Sequence, residues 1–342
     1  MTTRVLVVDD SSLVRKLLTR QLEQDPEIEV VGAAPDPYVA RDMIVEHEPD
    51  VVTLDIEMPR MDGVTFLRKL MKHHPMPVII VSSLTSKGGK LSMRALEAGA
   101  VEVVQKAGNQ YTPGDMGDSL TRKVKAAAGV NVRSLKKTRS GQVSRTESLT
   151  RDFKTSHNLL VIGASTGGTV ALQKILENLP ASTPPTLVVQ HMPQSFTRYF
   201  ADRLDTLSDM DVREAEDRDQ LVGGLALICP GNYHMTVKRS GAKYRVRVNK
   251  GPLVNRHRPS VDVLFKSAAV AGKNAVGVIL TGMGRDGARG MKAMHEAGAH
   301  TIAQDENTSV VYGMPRAAVQ LDAVDEELPI ERIPDAIVRA LK

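Results

Sequence analysis

Val5-Leu6-Val7-Val8-Asp9-Asp10-Ser11-Ser12, residues 5–12, decides the reading of the first part of the chain. Four consecutive apolar residues fit a strand buried on both faces, since a strand with one wet face would alternate. Two aspartates end the run. Ser11 or Ser12 can then cap a helix whose apolar positions, Leu13, Val14, Leu17, Leu18 and Leu22, recur at helical period. The same unit returns at Val51–Leu54, Val78–Val81 and Val101–Val104, with amphipathic stretches such as Val64, Leu67 and Met71 between them. Short apolar strands alternating with helices predict a parallel sheet covered on both faces.

The rhythm breaks at Val130–Ser156, which is rich in Ser, Thr, Lys and Arg and reads as a flexible basic linker. It resumes from Asn158, with buried strands expected at Leu159–Ile162, Thr186–Gln190, Ala275–Leu280 and Thr301–Ala303. Tyr233, Met235 and Val237, then Tyr244, Val246 and Val248, alternate with polar residues across Ser240-Gly241, the pattern of a β-hairpin. The expectation is therefore two α/β domains of mainly parallel sheet, 1–129 and 157–342, the second with an antiparallel excursion. A length of 342 residues suits two such domains.

Composition excludes several classes. The single cysteine, Cys229, allows neither an internal disulfide framework nor a cysteine-based zinc cluster. With 3% aromatic residues and no Trp, a single-strand binder that stacks bases on many rings is not expected. No apolar run approaches the roughly 20 residues of a membrane span, and Val5–Val8 is too short for a signal peptide. A soluble, cytoplasmic protein is expected.

In a parallel α/β sheet, chemistry collects beyond the carboxyl ends of the strands. Those positions in the first domain hold Asp9 and Asp10, Asp55, Ser82 and Lys106. Three converging carboxylates repel unless a cation sits among them, and a hard cation with oxygen ligands, Mg²⁺, suits the set. Asp55 can attack a phosphoryl group as aspartyl-phosphate enzymes do, with Lys106 neutralising a phosphoryl oxygen.

The second domain offers Gly163-Ala164-Ser165-Thr166-Gly167 after a strand and before a helix. The residues fit a G-x-S-x-G nucleophile elbow, and equally a glycine-rich phosphate loop. His191 ends the next strand on the same rim. Asp286, in Thr281-Gly282-Met283-Gly284-Arg285-Asp286-Gly287, follows the strand at Ala275–Leu280 and can hold an imidazole in the right tautomer. The order Ser, His, Asp differs from that of the α/β-hydrolases, so the elbow does not assign that fold. Gly282, Gly284 and Gly287, with Asp305 about 20 residues on, also satisfy a dinucleotide fingerprint. Against that competing reading, Asp286 would put a carboxylate where pyrophosphate must bind, and the loop comes late in the domain.

These residues carry a resemblance. VDDS at 8–11, LDIEMPRMDG at 54–63, Ser82 and Lys106 resemble the response-regulator receiver family. That resemblance implies a flavodoxin-like domain in which Asp55 is the phosphoacceptor and Ser82 and Lys106 support it. It also implies that Asp9, Asp10 and Asp55 hold Mg²⁺, with the Glu57 carbonyl completing the shell. Two positions depart from the family: Ala107 stands where proline is usual after the lysine, and Val103 where an aromatic switch residue often occurs. IGASTGG at 162–168, QHMP at 190–193, PGNYHM at 230–235, GPLVNRHRPSVDVLF at 251–265 and ILTGMGRDG at 279–287 extend the resemblance over nearly the whole chain. The pattern is similar to that of the chemotaxis response-regulator protein-glutamate methylesterases, the CheB family.

That family implies a Rossmann-like methylesterase domain that hydrolyses glutamyl γ-methyl esters on chemoreceptors, releases methanol, and deamidates receptor glutamines as a related activity. Ser165 would be the nucleophile, His191 the base and Asp286 its orienter, with oxyanion donors at the backbone N–H groups of Thr166 and Met283. Mg²⁺ would serve the receiver alone; ester hydrolysis would need no cofactor. The implied partners are methyl-accepting chemoreceptors and a chemotaxis histidine kinase at membrane-bound receptor arrays, without nucleic acid and without insertion into the membrane. A phosphoacceptor tethered to a hydrolase further predicts that the receiver represses the second domain until Asp55 is phosphorylated. Arg256, His257 and Arg258 read either as a fold-bracing loop or as a substrate-facing patch, in which Arg256 and Arg258 would contact the substrate. His234, on a strand pattern, reads as a packing residue, and Met192, Met235 and Met283 as core fillers.

The net charge of +5 invites a third reading, a receiver fused to a DNA-binding output. It sits elsewhere. Residues 1–129 carry 16 basic and 18 acidic side chains, residues 157–342 carry 22 and 20, and residues 130–156 carry 7 and 2. The two domains cancel, and the excess belongs to the linker.

Overall fold

Runs of Val, Ile and Leu form the parallel strands, and their burial on both faces explains why they lack alternation. The computed structural model describes residues 2–83, 86–106, 113–130, 132, 158–241 and 243–342. The chain divides into two units, at Ser140 and Gly141. Most of the expected linker and Ala107 lie outside the described residues. Val130 and Val132 are buried, so apolar burial in the first unit continues past residue 129.

The first unit is a five-stranded parallel sheet, ordered β2-β1-β3-β4-β5. Its strands are β1 (Thr3–Val8), β2 (Ile28–Ala34), β3 (Val51–Leu54), β4 (Val78–Ser82) and β5 (Glu102–Gln105). Helices α1 (Ser12–Leu22), α2 (Pro37–His47), α3 (Gly63–His73), α4 (Ser86–Ala98) and α5 (Pro113–Ala128) connect or follow them. Ser11, Asp36 and Asp62 cap the first three helices through their side chains. Of the apolar positions assigned to α1, Leu18 and Leu22 are buried but Leu13, in the first turn, is 75% exposed. The last strand lies one residue later than its apolar run suggested. The order reverses between β1 and β3, the topological switch at which such sheets open a crevice.

The second unit is a seven-stranded parallel sheet, ordered β14-β13-β12-β6-β7-β9-β8. In chain order it runs β6 (Leu159–Ala164), α6 (Gly168–Leu176), β7 (Thr186–Gln190), α7 (Gln194–Asp205), β8 (Asp211–Glu214) and β9 (Leu225–Ile228). The hairpin β10 (His234–Ser240) and β11 (Lys243–Asn249) follows, then α8 (Val261–Ala268) and β12 (Ala275–Ile279). The chain closes with α9 (Ala288–Glu296), β13 (His300–Gln304), α10 (Met314–Val319), β14 (Glu326–Leu328) and α11 (Ile333–Ala340). The hairpin register pairs Met235 with Val248 and Val237 with Val246. Met235, Val237 and Val246 are buried in the core that α8 also covers. Strand β6 lies between β7 and β12, so the second switch falls where the glycine-serine loop leaves the sheet.

Candidate active site and phosphoacceptor site

Ser165 stands on the turn from β6 into α6. The turn closes when the Gly168 N–H donates to the Ser165 carbonyl at 2.7 Å. Gly167 has φ +79°, and a β-carbon there would lie 2.4 Å from Val310, so the turn requires glycine. Gln190, at the end of β7, donates from Nε2 to the Ser165 carbonyl at 2.9 Å and fixes the elbow from below. His191 follows directly.

The structure brings the three sequence-derived side chains together. Nδ1 of His191 lies 3.1 Å from Oγ of Ser165, and Nε2 lies 2.9 Å from Oδ2 of Asp286. All three residues are buried. Nε2 therefore carries the proton donated to Asp286, and Nδ1 accepts from the serine hydroxyl.

Asp286 is held by a shell that sequence reading did not single out. Its Oδ2 also accepts from the Val261 N–H at 2.7 Å, while Oδ1 accepts from Ser260 Oγ at 2.7 Å and Asn255 Nδ2 at 2.6 Å. Burial by itself would raise this carboxyl. The hydrogen bonds and charge of His191, with those from Asn255 and Ser260, outweigh it and hold the group well below the usual carboxylate range. Asn255 reaches a second buried carboxylate, Asp262, at 2.8 Å. The signal for Asn255 and Ser260 lay within residues 251–265, a stretch read mainly for its basic triplet.

That triplet divides. Arg258 donates to Asn232 Oδ1 at 2.6 and 3.0 Å and to the Gly251 carbonyl at 2.7 Å. It braces three loop segments, as the fold-bracing alternative for this triplet describes. Arg256 is exposed at φ +67°. His257 stacks on His191, with ring centroids 3.9 Å apart and planes 8° from parallel. His234 is a brace, as expected: its Nε2 lies 2.8 Å from the Pro252 carbonyl and its Nδ1 accepts from the Ser260 N–H at 3.2 Å.

Gly282 explains the glycine pattern after β12. A β-carbon there would fall 2.7 Å from Cβ of Ser165 and 2.4 Å from Sδ of Met314. The loop therefore passes against the serine and sets the Met283 peptide beside it. Thr281 ties the same region together, donating from Oγ1 to the Thr166 carbonyl at 2.9 Å. The dinucleotide reading fails on two counts. Asp286 is engaged by five groups within the fold, and the Asp305 carboxylate accepts from the Thr308 N–H at 3.0 Å as a local turn cap. The DNA-binding reading called for a compact helix–turn–helix, whereas the described residues of the output unit build a seven-stranded parallel sheet and a hairpin.

In the first unit Asp9, Asp10 and Asp55 each present an oxygen within 4.8 Å of the others. Lys106 Nζ pairs with Asp9 at 2.7 Å and Asp55 at 2.8 Å. Burial raises the Asp55 carboxyl, and Lys106 only partly offsets this. Burial opposes the charge on Lys106, but Asp55 and Asp9 outweigh it and raise the ammonium above its usual range. The Arg15 guanidinium donates to the carbonyls of Asp9 and Asp10 at 2.8 and 3.0 Å and steadies the acidic pair. The fully buried Ser82 hydroxyl has no hydrogen-bond partner among the described residues. Glu57 is exposed, and its carboxylate accepts from Ser83 Oγ at 3.4 Å. Val103 is buried in β5.

The two sites define a class: a receiver-type phosphoacceptor sheet joined to a parallel-sheet unit with a Ser-His-Asp constellation. Comparison with known proteins gives the particular family. Residues 160–337 match the CheB methylesterase family model, and residues 5–112 match the response regulator receiver domain. The chain belongs to the CheB methylesterase family. It is 54% identical over 337 residues to the protein-glutamate methylesterase/protein-glutamine glutaminase 2 of Syntrophus aciditrophicus, covering 98% of both chains. A Pseudomonas aeruginosa protein of the same name is 48% identical, covering 99% of this chain and 97% of that one. Among solved structures, the Thermotoga maritima CheB methylesterase catalytic domain aligns with a TM-score of 0.53 and 38% identity, over 54% of this chain and 99% of that one.

Proposed function

We propose that the chain is a phosphorylation-controlled protein-glutamate methylesterase that demethylates chemoreceptors during chemotactic adaptation and also deamidates receptor glutamines. The observation that carries the reading is His191, set between the hydroxyl of Ser165 and the carboxylate of Asp286. As the Ser165 oxygen attacks the ester carbonyl carbon, Nδ1 of His191 takes its proton. The N–H groups of Thr166 and Met283 receive the oxyanion. When the C–O bond to the methoxy group breaks, the imidazolium returns the proton and methanol leaves. Water then repeats the sequence on the acyl-enzyme and releases the glutamate. No cofactor enters these steps.

The domain assignment is a receiver at 1–129, a basic linker at 130–156 and the catalytic domain at 157–342. Asp55 is the phosphoacceptor. The three carboxylates of the first unit form an all-oxygen set suited to Mg²⁺, held by Asp9, Asp10, Asp55 and the Glu57 carbonyl. A bound Mg²⁺ supplies charge neutralisation for the incoming phosphoryl group. Lys106 faces the same carboxylates, and the unpartnered Ser82 hydroxyl is free to donate to a phosphoryl oxygen. The phosphodonor is a chemotaxis histidine kinase. Among the described residues no helix is long and apolar enough to cross a membrane. The enzyme is cytoplasmic and is recruited to receptor arrays by its substrate. The receiver represses the esterase until Asp55 is phosphorylated.

The test is methanol release from methylated receptor, with and without a small phosphodonor. The native chain should be stimulated, Ser165→Ala should be inactive, and Asp55→Asn should keep only basal turnover. Full activity in Ser165→Ala overturns the nucleophile. Repression is tested by a fragment beginning near Thr155, which should outpace the unphosphorylated full chain.

A further inference from the structure

Beside the triad lies a pocket of about 510 Å³ that the chemistry of ester cleavage does not use. Arg285, Arg289 and Arg316 line it, with Asn255, Asp262 and Leu321 among its other walls. We infer that this pocket receives an acidic side chain of the substrate protein, one that flanks the ester being hydrolysed. The inference rests on the esterase reading and adds to it a determinant of substrate choice.

Three observations support it. Among the described residues none of the three guanidinium groups makes an ion pair, whereas Lys174, Arg213, Arg218, Arg247 and Arg339 of the same unit do. The one carboxylate in the wall, Asp262, is already committed: it accepts from the Gly290 N–H at 2.6 Å and from Asn255 at 2.8 Å. Three guanidinium groups against that one carboxylate leave an excess of positive charge in a concavity, where charges of one sign reinforce each other. Guanidinium groups match a carboxylate bidentately, and Leu321 offers apolar surface to the methylenes of a glutamate.

Its position is equally specific. Gly284 and Arg285, both in the pocket wall, stand in the chain between Met283 and Asp286. Asn255 belongs to both places, since the amide that lines the pocket donates to Asp286 at 2.6 Å. At Gly284 a β-carbon would meet nothing within 4 Å, so the wall is open there. A polypeptide whose ester lies at Ser165 can place a neighbouring side chain across Gly284 and among the arginines. Hydrolysis itself makes glutamate carboxylates, so a segment already demethylated at one position would be held for attack at the next.

The experiment uses the full chain with a saturating small phosphodonor and two peptides, each carrying one glutamyl methyl ester. In one the flanking residues include glutamates; in the other these are alanines. Methanol release from either peptide by the native chain establishes the esterase, and its absence from both would refute that reading separately. The native chain should show a lower KM for the glutamate peptide, by about threefold to tenfold, a preference that shrinks in high salt. Arg289→Gln/Arg316→Gln should abolish the preference while leaving kcat and KM for the alanine peptide unchanged. Either single variant should give part of the effect. The inference is overturned if the native chain shows no preference, if the double variant keeps it, or if the variants lose activity equally on both peptides.

Discussion

Replacing Asp286 by asparagine keeps the side chain's size and removes one charge. In the native site Oδ2 accepts from His191 at 2.9 Å and from the Val261 backbone at 2.7 Å, while Oδ1 accepts from the side chains of Ser260 and Asn255. On Oδ2 the Val261 backbone donor is fixed and close, whereas on Oδ1 the only backbone contact is long, from the Asp262 N–H at 3.4 Å, and the Ser260 hydroxyl can rotate. The asparagine oxygen therefore takes the place of Oδ2, the imidazole keeps its Nε2–H tautomer, and the contact with Ser165 survives. What disappears is the attraction between carboxylate and imidazolium, which exists only after His191 has taken the serine proton. Two unit charges about 4 Å apart at an effective dielectric near 20 attract by about 4 kcal/mol. At about 1.4 kcal/mol per factor of ten, kcat should fall about a thousandfold with KM unchanged. Steady-state methanol release measures both, and thermal melting confirms that the variant is folded. A kcat within tenfold of native, or a defect confined to KM, would refute the electrostatic role of Asp286.

The same carboxylate gives a pH signature. Its folded-state value lies below the unfolded value of about 3.9, so its contribution to stability is present above that pH and is lost as pH falls through the lower, folded value. The melting temperatures of native chain and Asp286→Asn should therefore differ by a constant amount above about pH 5 and draw steadily closer as pH falls below about 4. His257→Ala removes the ring stacked on His191. With aromatic pairs worth roughly 0.5–1.5 kcal/mol, kcat should drop about twofold to tenfold, and His257→Phe should restore most of it. Gly282→Ala forces a β-carbon to 2.7 Å from Ser165 and 2.4 Å from Met314. Overpacking of this kind costs about 1–3 kcal/mol of stability, and here it should also displace the nucleophile enough to abolish measurable methanol release from a folded protein.

The strands that sequence located best are those buried on both faces, such as β3 and β7, where continuous apolar runs leave one interpretation. Apart from the short apolar run of β9, Leu-Ala-Leu-Ile, those it passed over have mixed faces. β2 interrupts its valines with Glu29 and Gly32, β8 reads Asp-Val-Arg-Glu, and the short edge strand β14 reads Glu-Glu-Leu. Such strands are defined by a neighbour's open edge more than by their own pattern. The site divides in the same way. Ser165, His191 and Asp286 were legible because each follows a strand on the carboxyl rim, a position that topology dictates. Asn255, Ser260 and Gln190 act through hydrogen bonds whose direction depends on loop conformation, and no periodicity encodes that. Asn255 has φ +51°, so even its backbone state lay outside what a strand or helix pattern could suggest.

The use of the imidazole is the sharpest example. In the chymotrypsin arrangement Nε2 faces the serine and Nδ1 the aspartate. Here the roles are exchanged, with Nδ1 on Ser165 and Nε2 on Asp286. Chemically the exchange costs nothing, because either nitrogen can accept a proton provided the other is held as a donor. What must be conserved is an acceptor toward the hydroxyl and a carboxylate beyond the opposite edge of the ring. In this sheet His191 leaves β7 on one side of β6, while Asp286 arrives from β12 on the other. The carboxylate meets the ring at Nε2, the nitrogen farther from the histidine's own backbone, and Ser165, beside that backbone, meets Nδ1. Strand order therefore sets which nitrogen faces the hydroxyl and which the carboxylate. Residue identities decide only that a base, a hydroxyl and a carboxylate are available on the rim.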